Sequence, residues 1–183
     1  MTLVTDPGCP TVQRRSLRVV IADDHPFYRA GLARMLERNE FDVVAEVPNG
    51  AATIREVERL RPDVVVVDLN MAGTTGLAAI RRIAERAHST PVIVLSVSAD
   101  EQDVADAILA GASGYLLKDR PYAEIVMGIR AAAAGQAPLS PRIAAMLIRR
   151  LRTGEPPPDD DEIRRAIARH FRRPSRAGLP WRW

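Results

Sequence analysis

Apolar and polar positions along this chain fall into alternating blocks of two kinds. The sharpest block is VVVVDLNM, Val64–Met71, in which four valines run into Asp68 between Pro62 and Gly73. Valine is stiff at its β-carbon and favours strands. An unbroken apolar run of this length reads as a strand buried on both faces, as in a parallel sheet. The same pattern predicts strands at Leu17–Ala22 (LRVVIA), Pro91–Leu95 (PVIVL) and Ser113–Leu117 (SGYLL). Phe41–Val47 (FDVVAEV) alternates more, which suits a strand nearer an edge.

Between these runs the apolar spacing changes to the helical period. Pro26 suits a first helical turn, and Phe27, Ala30, Ala33 and Leu36 carry a helix to about Arg38. Ala51–Leu60 and the stretch around Leu77, Ile80 and Ile83 follow the same rule. Ala99–Ala110 predicts a helix with an acidic first turn (Asp100, Glu101, Asp103), favourable at the positive end of the helix dipole, and Gly111 suits its C-terminal cap. Pro121 opens a last helix through Ile125, Val126, Ile129 and Ala132. Five strand–helix units over residues 17–134 predict an α/β domain with a parallel sheet and helices on both faces.

The flanks differ. Residues 1–16 show no periodicity and read as a flexible leader. Residues 135–158 read as a linker with one helix, which Ser140 can cap and Pro141 can open, followed by GEPPP. Residues 159–183 read as a basic tail, helical or disordered, closing on Trp181-Arg182-Trp183. Charge follows this division. Residues 17–133 hold 13 Lys/Arg against 17 Asp/Glu, whereas residues 142–183 hold 11 against 5. The basic end can touch nucleic-acid phosphates through Arg164, Arg165, Arg169, Arg172 and Arg173, which would position without specifying sequence. No run approaches the roughly 18 apolar residues of a membrane span, and no secretory leader is visible. One cysteine, Cys9, excludes a disulfide framework or thiolate metal cluster. The expected location is the cytoplasm.

Function in open α/β sheets sits beyond the carboxyl ends of the strands. Four of the five predicted strands deliver chemistry there: Asp23 and Asp24 after the first, Asp68 after the third, Ser96 at the fourth and Lys118 after the fifth. In a doubly wound, flavodoxin-like sheet of order 2-1-3-4-5, the first and third strands are central neighbours and the three aspartates converge. Clustered carboxylates repel and need a cation. With no second His or Cys beside His25, hard oxygen ligands point to Mg2+ rather than zinc, and Asn70 is placed to lend a backbone carbonyl. His88 and His170 read as surface residues. A carboxylate, a hydroxyl, a lysine and a divalent ion together form a phosphoryl site, with an aspartate as nucleophile. No glycine-rich nucleotide loop accompanies it. Taken singly, Asp68 and Asn70 also read as turn or loop residues, and Tyr115 as a strand aromatic.

Asp23-Asp24, DLNMAGTTG around Asp68, LSVS around Ser96 and GASGYLLKD at 111–119 resemble the receiver (CheY-like) domain of bacterial two-component response regulators over about residues 17–134. DDHPFYRAGL at 23–32 is similar to the subfamily with a LuxR-type helix-turn-helix output. The resemblance implies phosphorylation at Asp68 by a sensor histidine kinase, and a Mg2+ site of Asp23, Asp24, Asp68 and Asn70, with Asp24 the direct ligand of the acidic pair. It implies Ser96 and Lys118 as phosphoryl-binding partners, and Ser96 with Tyr115 as the switch. It also implies self-phosphorylation and dephosphorylation but no other enzyme activity, homodimerisation, and a transcription-regulator lineage. Ala72 departs from the proline usual in its loop. A helix-turn-helix needs two helices and a turn; DEIRRAIARHF supplies one, and no LTPRE-like segment is visible. The output domain is therefore expected to be absent or degenerate. The alternatives are a receiver acting as an interaction module without phosphorylation, or weak DNA binding by the tail. A magnesium phosphatase with a DxD nucleophile after the first strand fits poorly, because here that strand ends in adjacent aspartates.

Overall fold

The structure is a computed structural model. It describes residues 15–71, 73, 75–87 and 89–153. The expectations for the leader through Arg14, Cys9, Ala72, His88, the GEPPP linker and the basic tail lie outside the described residues.

The elements alternate as β1 (Leu17–Ala22), α1 (Pro26–Arg38), β2 (Phe41–Val47), α2 (Gly50–Leu60), β3 (Val64–Val67), α3 (Gly76–Arg86), β4 (Val92–Ser96), α4 (Glu101–Leu109), β5 (Gly114–Leu117), α5 (Tyr122–Ala133) and α6 (Pro141–Thr153). All strands pair in parallel in the order β2-β1-β3-β4-β5. This is the doubly wound, flavodoxin-like sheet expected from the alternation, with β2 at an edge.

The two-residue period of the strands sorts their side chains onto two cores. Val20, Val65, Val67, Val94 and Tyr115 face one side, under α2, α3, α4 and α6. Val19, Ile21, Val64, Val66, Ile93 and Leu116 face the other, under α1 and α5. Each valine of β3 is at most 2% exposed, and each such burial stabilises the fold by about 1.5–3 kcal/mol. The run in which β3 lies therefore anchors the sheet and carries Asp68 at its tip.

Helix ends follow local chemistry. Asn49 caps α2 by accepting from the Ala52 amide, and Thr75 caps α3 by accepting from the Ala78 amide. Asp100 accepts from the amides of Gln102 and Asp103, so α4 starts one residue beyond it rather than at Ala99. After α4, Gly111 adopts φ 108°, with the Gly111 amide on Ile108 O and the Ala112 amide on Ala107 O. That is a Schellman ending, which a left-handed glycine permits. Pro121 precedes α5 as its cap residue rather than its first turn.

The segment before α6 differs from a plain connector. Leu139 bridges to Tyr115, the Tyr115 amide donates to Pro138 O (2.9 Å), and the Ser140 amide donates to Tyr115 O (3.4 Å). Residues 138–140 thus cover the open edge of β5. The Ser140 hydroxyl does not cap α6. It is buried without a hydrogen-bond partner among the described residues, while the Ser140 amide is held on Tyr115 O. No helix among the described residues is long and apolar enough to cross a membrane.

Candidate phosphoacceptor site

Main-chain ladders carry the site residues one step past their strands. The Asp68 amide donates to Ala22 O (2.8 Å), the Asp23 amide to Val47 O (3.1 Å) and the Lys118 amide to Ser96 O (2.9 Å). These bonds lock the end of β3 to β1, of β1 to β2 and of β5 to β4. Gly76 allows the start of α3 to press against this edge: a Cβ there would lie 2.0 Å from the Asp68 carbonyl oxygen.

Lys118 is the centre of the arrangement. Its Nζ lies 2.6 Å from Asp23 Oδ2 and 2.9 Å from Asp68 Oδ2, and all three side chains are under 10% exposed. Burial works against the ammonium, but Asp68 and Asp23 outweigh it and raise the Lys118 pKa above the ordinary lysine value. Burial raises the Asp68 carboxyl above the usual carboxylate range; Lys118 opposes that rise and Asp23 adds to it.

Asp23, Asp24, His25 and Asp68 each offer a ligand atom, and these atoms lie within 4.8 Å of one another. His25 Nδ1 is 2.9 Å from Asp24 Oδ1 and 3.5 Å from Asp23 Oδ1, and the His25 amide donates to Asp23 Oδ1 (2.8 Å). The donor set is dominated by carboxylate oxygen, which fits a small hard divalent ion. Three acidic groups against one ammonium leave the cluster negative, so a cation improves its balance.

The other sequence candidates take their places around this cluster. The Asn70 amide faces Asp68 Oδ1 at 3.4 Å. Ser96 is fully buried at the end of β4, and its Oγ accepts from the Ser98 amide (3.1 Å). Tyr115 is also fully buried and donates its hydroxyl to Ser98 O (2.8 Å); burial raises its pKa. Ser96 and Tyr115 thus meet at the same loop residue.

Sequence reasoning missed Tyr28. Its ring lies 4.5 Å from Lys118 Nζ, a cation–π contact, and its hydroxyl is buried with no hydrogen-bond partner among the described residues. Burial, then the charge of Asp23, raises its pKa. On the sequence Tyr28 is one more residue of the α1 pattern. Its only signal is an aromatic four positions after an acidic pair.

An open parallel sheet with a lysine-bridged acidic cluster at its carboxyl edge defines a receiver-type domain. Residues 19–130 match the response regulator receiver domain family, and the chain belongs to that family. It is 35% identical over 142 residues to the transcriptional regulatory protein DegU of Brevibacillus brevis, covering 77% of this chain and 60% of the relative. It is 37% identical over 135 residues to the nitrate/nitrite response regulator protein NarL of Escherichia coli (strain K12), covering 73% of this chain and 62% of the relative. The chain therefore spans less than two thirds of the length of these two curated relatives. Among solved structures, a two-component response regulator of the LuxR family from Aurantimonas sp. SI85-9A1 superposes with a TM-score of 0.70 at 33% identity, covering 74% of this chain and 97% of that one. Receiver domains of this family are not enzymes beyond their own phosphorylation and dephosphorylation.

Proposed function

We propose that this chain is a two-component response regulator that takes a phosphoryl group onto Asp68 from a sensor histidine kinase. The observation that carries this reading is Lys118 set between Asp23 and Asp68 in a buried acidic cluster. An Asp68 carboxylate oxygen attacks phosphorus of a phosphohistidine. The P–N bond breaks, the imidazole nitrogen recovers its electron pair and takes up a proton, and an acyl phosphate forms. Hydrolysis of that acyl phosphate releases inorganic phosphate and restores the carboxylate.

Lys118 then has a new partner. Its ammonium can leave one carboxylate and follow the phosphoryl oxygens, whose negative charge it offsets in a site of low polarity. Asp23, Asp24, Asp68 and the Asn70 carbonyl would hold Mg2+, with His25 beside them. When bound, the ion supplies positive charge against the phosphoryl oxygens. Ser96 Oγ turns to donate toward the phosphoryl group and gives up its bond from Ser98. Tyr115, tied to Ser98, follows. This pair forms the switch that alters the face of α4, β5 and α5 for a second copy or another partner. Phe27, Val97 and Tyr122 are exposed at the starts of α1, the β4–α4 loop and α5, and would offer apolar contacts to the phosphodonor protein. The family's LuxR-type members support a place in transcription regulation.

The test is intact-mass measurement of the full chain after incubation with magnesium and acetyl phosphate. The expected result is a gain of one phosphoryl group, lost in Asp68→Asn. Absence of any gain in the folded parent chain overturns the proposal.

A further inference from the structure

Of the 26 Lys/Arg residues in the chain, Lys118 is the only lysine. The one position that keeps an ammonium is the one held between two buried carboxylates. A guanidinium is a planar fork, whereas an ammonium is a compact charge whose three donors can serve partners in different directions. Lys118 Nζ meets Asp23 Oδ2 at 2.6 Å and Asp68 Oδ2 at 2.9 Å, and its side chain is only 7% exposed. A third neighbour is the ring of Tyr28, whose centroid lies 4.5 Å from Nζ. That distance is well inside the reach of a cation–π contact.

The chain fixes that ring through the start of α1. Pro26 opens the helix directly after Asp23, Asp24 and His25, with its φ already suited to the first turn. The Arg29 amide donates to His25 O (3.0 Å), and the Arg29 guanidinium donates to Asp23 O. The first turn of α1 and the acidic pair are therefore tied together, and Asp23 and Tyr28 approach Lys118 from one segment. Asp68 approaches it from another, the end of β3. Phe27, the neighbouring aromatic, is 93% exposed and does not face the lysine. The Tyr28 hydroxyl is buried with no hydrogen-bond partner among the described residues. What Tyr28 brings to Lys118 is thus its ring face rather than its hydroxyl.

We propose that Tyr28 is a positioning residue for phosphoryl transfer: its ring holds the Lys118 ammonium beside Asp68 while the ammonium exchanges a carboxylate partner for the phosphoryl oxygens. The proposal rests on the phosphoacceptor reading above. As negative charge builds on the phosphoryl oxygens, Lys118 has to weaken one of its two carboxylate bonds. The ring is the neighbour that this step leaves unchanged, because it neither receives the phosphoryl group nor offers a ligand to a metal ion. It attracts the ammonium through its quadrupole and carries no net charge. It therefore keeps the cation in place without competing for it as a third carboxylate would. A leucine at this position fills much of the space but gives the ammonium no attraction on that side. The charge then samples positions away from the reacting oxygens, and the loss appears in the rate of transfer.

The test compares the full-length wild type with Tyr28→Phe, which keeps the ring, and Tyr28→Leu, which removes it. Intact mass over time, with magnesium and acetyl phosphate, gives the rate of phosphoryl uptake. That rate is expected to fall about tenfold in Tyr28→Leu and to stay within about twofold of wild type in Tyr28→Phe. Magnesium affinity is expected to be the same in all three, because Tyr28 acts on Lys118 and not on the carboxylates. Lysine isotope-labelled at Cε gives a single side-chain NMR signal, since Lys118 is the only lysine. Its ε protons are expected upfield of free lysine, in the ring current of residue 28, in wild type and Tyr28→Phe, before and after phosphorylation, with the shift lost in Tyr28→Leu. A wild-type signal at the free-lysine position overturns the proposal without any variant. So does uptake by Tyr28→Leu at the wild-type rate. Equal slowing in Tyr28→Phe and Tyr28→Leu overturns it by moving the role to the hydroxyl. Slowing that tracks a loss of magnesium affinity overturns it by making Tyr28 a support of the acidic pair. Each of these results leaves the phosphoacceptor reading standing, whereas absence of uptake in the folded wild type overturns both.

Discussion

Replacing Lys118 by methionine removes the charge that the site is built around while keeping most of the side-chain volume. Lys118 contacts Asp23 and Asp68 at 2.6 and 2.9 Å. Without it, two buried carboxylates face each other with ligand oxygens no more than 4.8 Å apart. At an effective dielectric of about 20, that separation corresponds to about 3–4 kcal/mol of repulsion. Breaking a buried ion pair from one side costs about 3–5 kcal/mol on the same grounds. Lys118→Met is therefore expected to lower the unfolding free energy by about 3–5 kcal/mol near neutral pH. Part of that cost is escapable, because Asp68 can take up a proton. The loss should shrink toward acid and grow toward alkali. Magnesium should also reduce it, by binding the folded cluster and not the unfolded chain. Urea unfolding of wild type and variant, with and without magnesium, reads all three effects. A loss below about 1 kcal/mol that does not respond to magnesium would refute the electrostatic account of the cluster.

Three further outcomes follow from particular contacts. Asp68 has a folded pKa above its unfolded value, so the folded state holds its proton where the unfolded chain has lost it. Its contribution to stability falls as pH rises through the window between those two values and stays lowered above it. Magnesium-free unfolding curves of wild type and Asp68→Asn should diverge in that direction across the window, and a pH-independent difference would show that the carboxyl is not perturbed. Tyr28→Phe keeps the ring over Lys118 and removes a buried hydroxyl with no partner among the described residues, so it should be neutral or stabilising by up to about 1 kcal/mol. Tyr28→Leu should cost about 0.5–2 kcal/mol, and equal unfolding midpoints for the two variants would dismiss the cation–π contact. Gly76→Ala drives a Cβ into the Asp68 carbonyl and should cost at least about 1–3 kcal/mol; a thermal melt unchanged from wild type would mean that α3 does not press on this edge.

Much of this molecule is legible in its apolar runs. Val64–Val67, residues 19–22 of β1 and residues 92–95 of β4 are buried on both faces, and an unbroken apolar run of this kind announces a strand. The same runs made Asp23, Asp68 and Ser96 visible as the polar residues at their ends. What remained hidden depends on contacts between distant residues. No local pattern says that Lys118 spans Asp23 and Asp68, since that requires β5 in register with β4 and β4 with β3. Tyr28 hid inside a helical pattern. Pro138-Leu139-Ser140 read as connecting chain because a proline and a serine break any strand signal. Its pairing with β5 depends on Gly114, which on the sequence only weakens a strand. Ser140 looked like a helix cap because its type and position are right; its amide is instead held on Tyr115 O and its hydroxyl is buried.

Asp68 is the residue proposed to receive the phosphoryl group. Borohydride reduces an aspartyl phosphate to homoserine, which marks the acceptor residue chemically. The full chain, treated with magnesium and a phosphodonor, reduced and digested, should yield homoserine at position 68 and nowhere else, with none formed when either reagent is omitted. Homoserine at Asp23 or Asp24, or a phosphorylated chain with Asp68 unmodified, would rule out Asp68 as the acceptor.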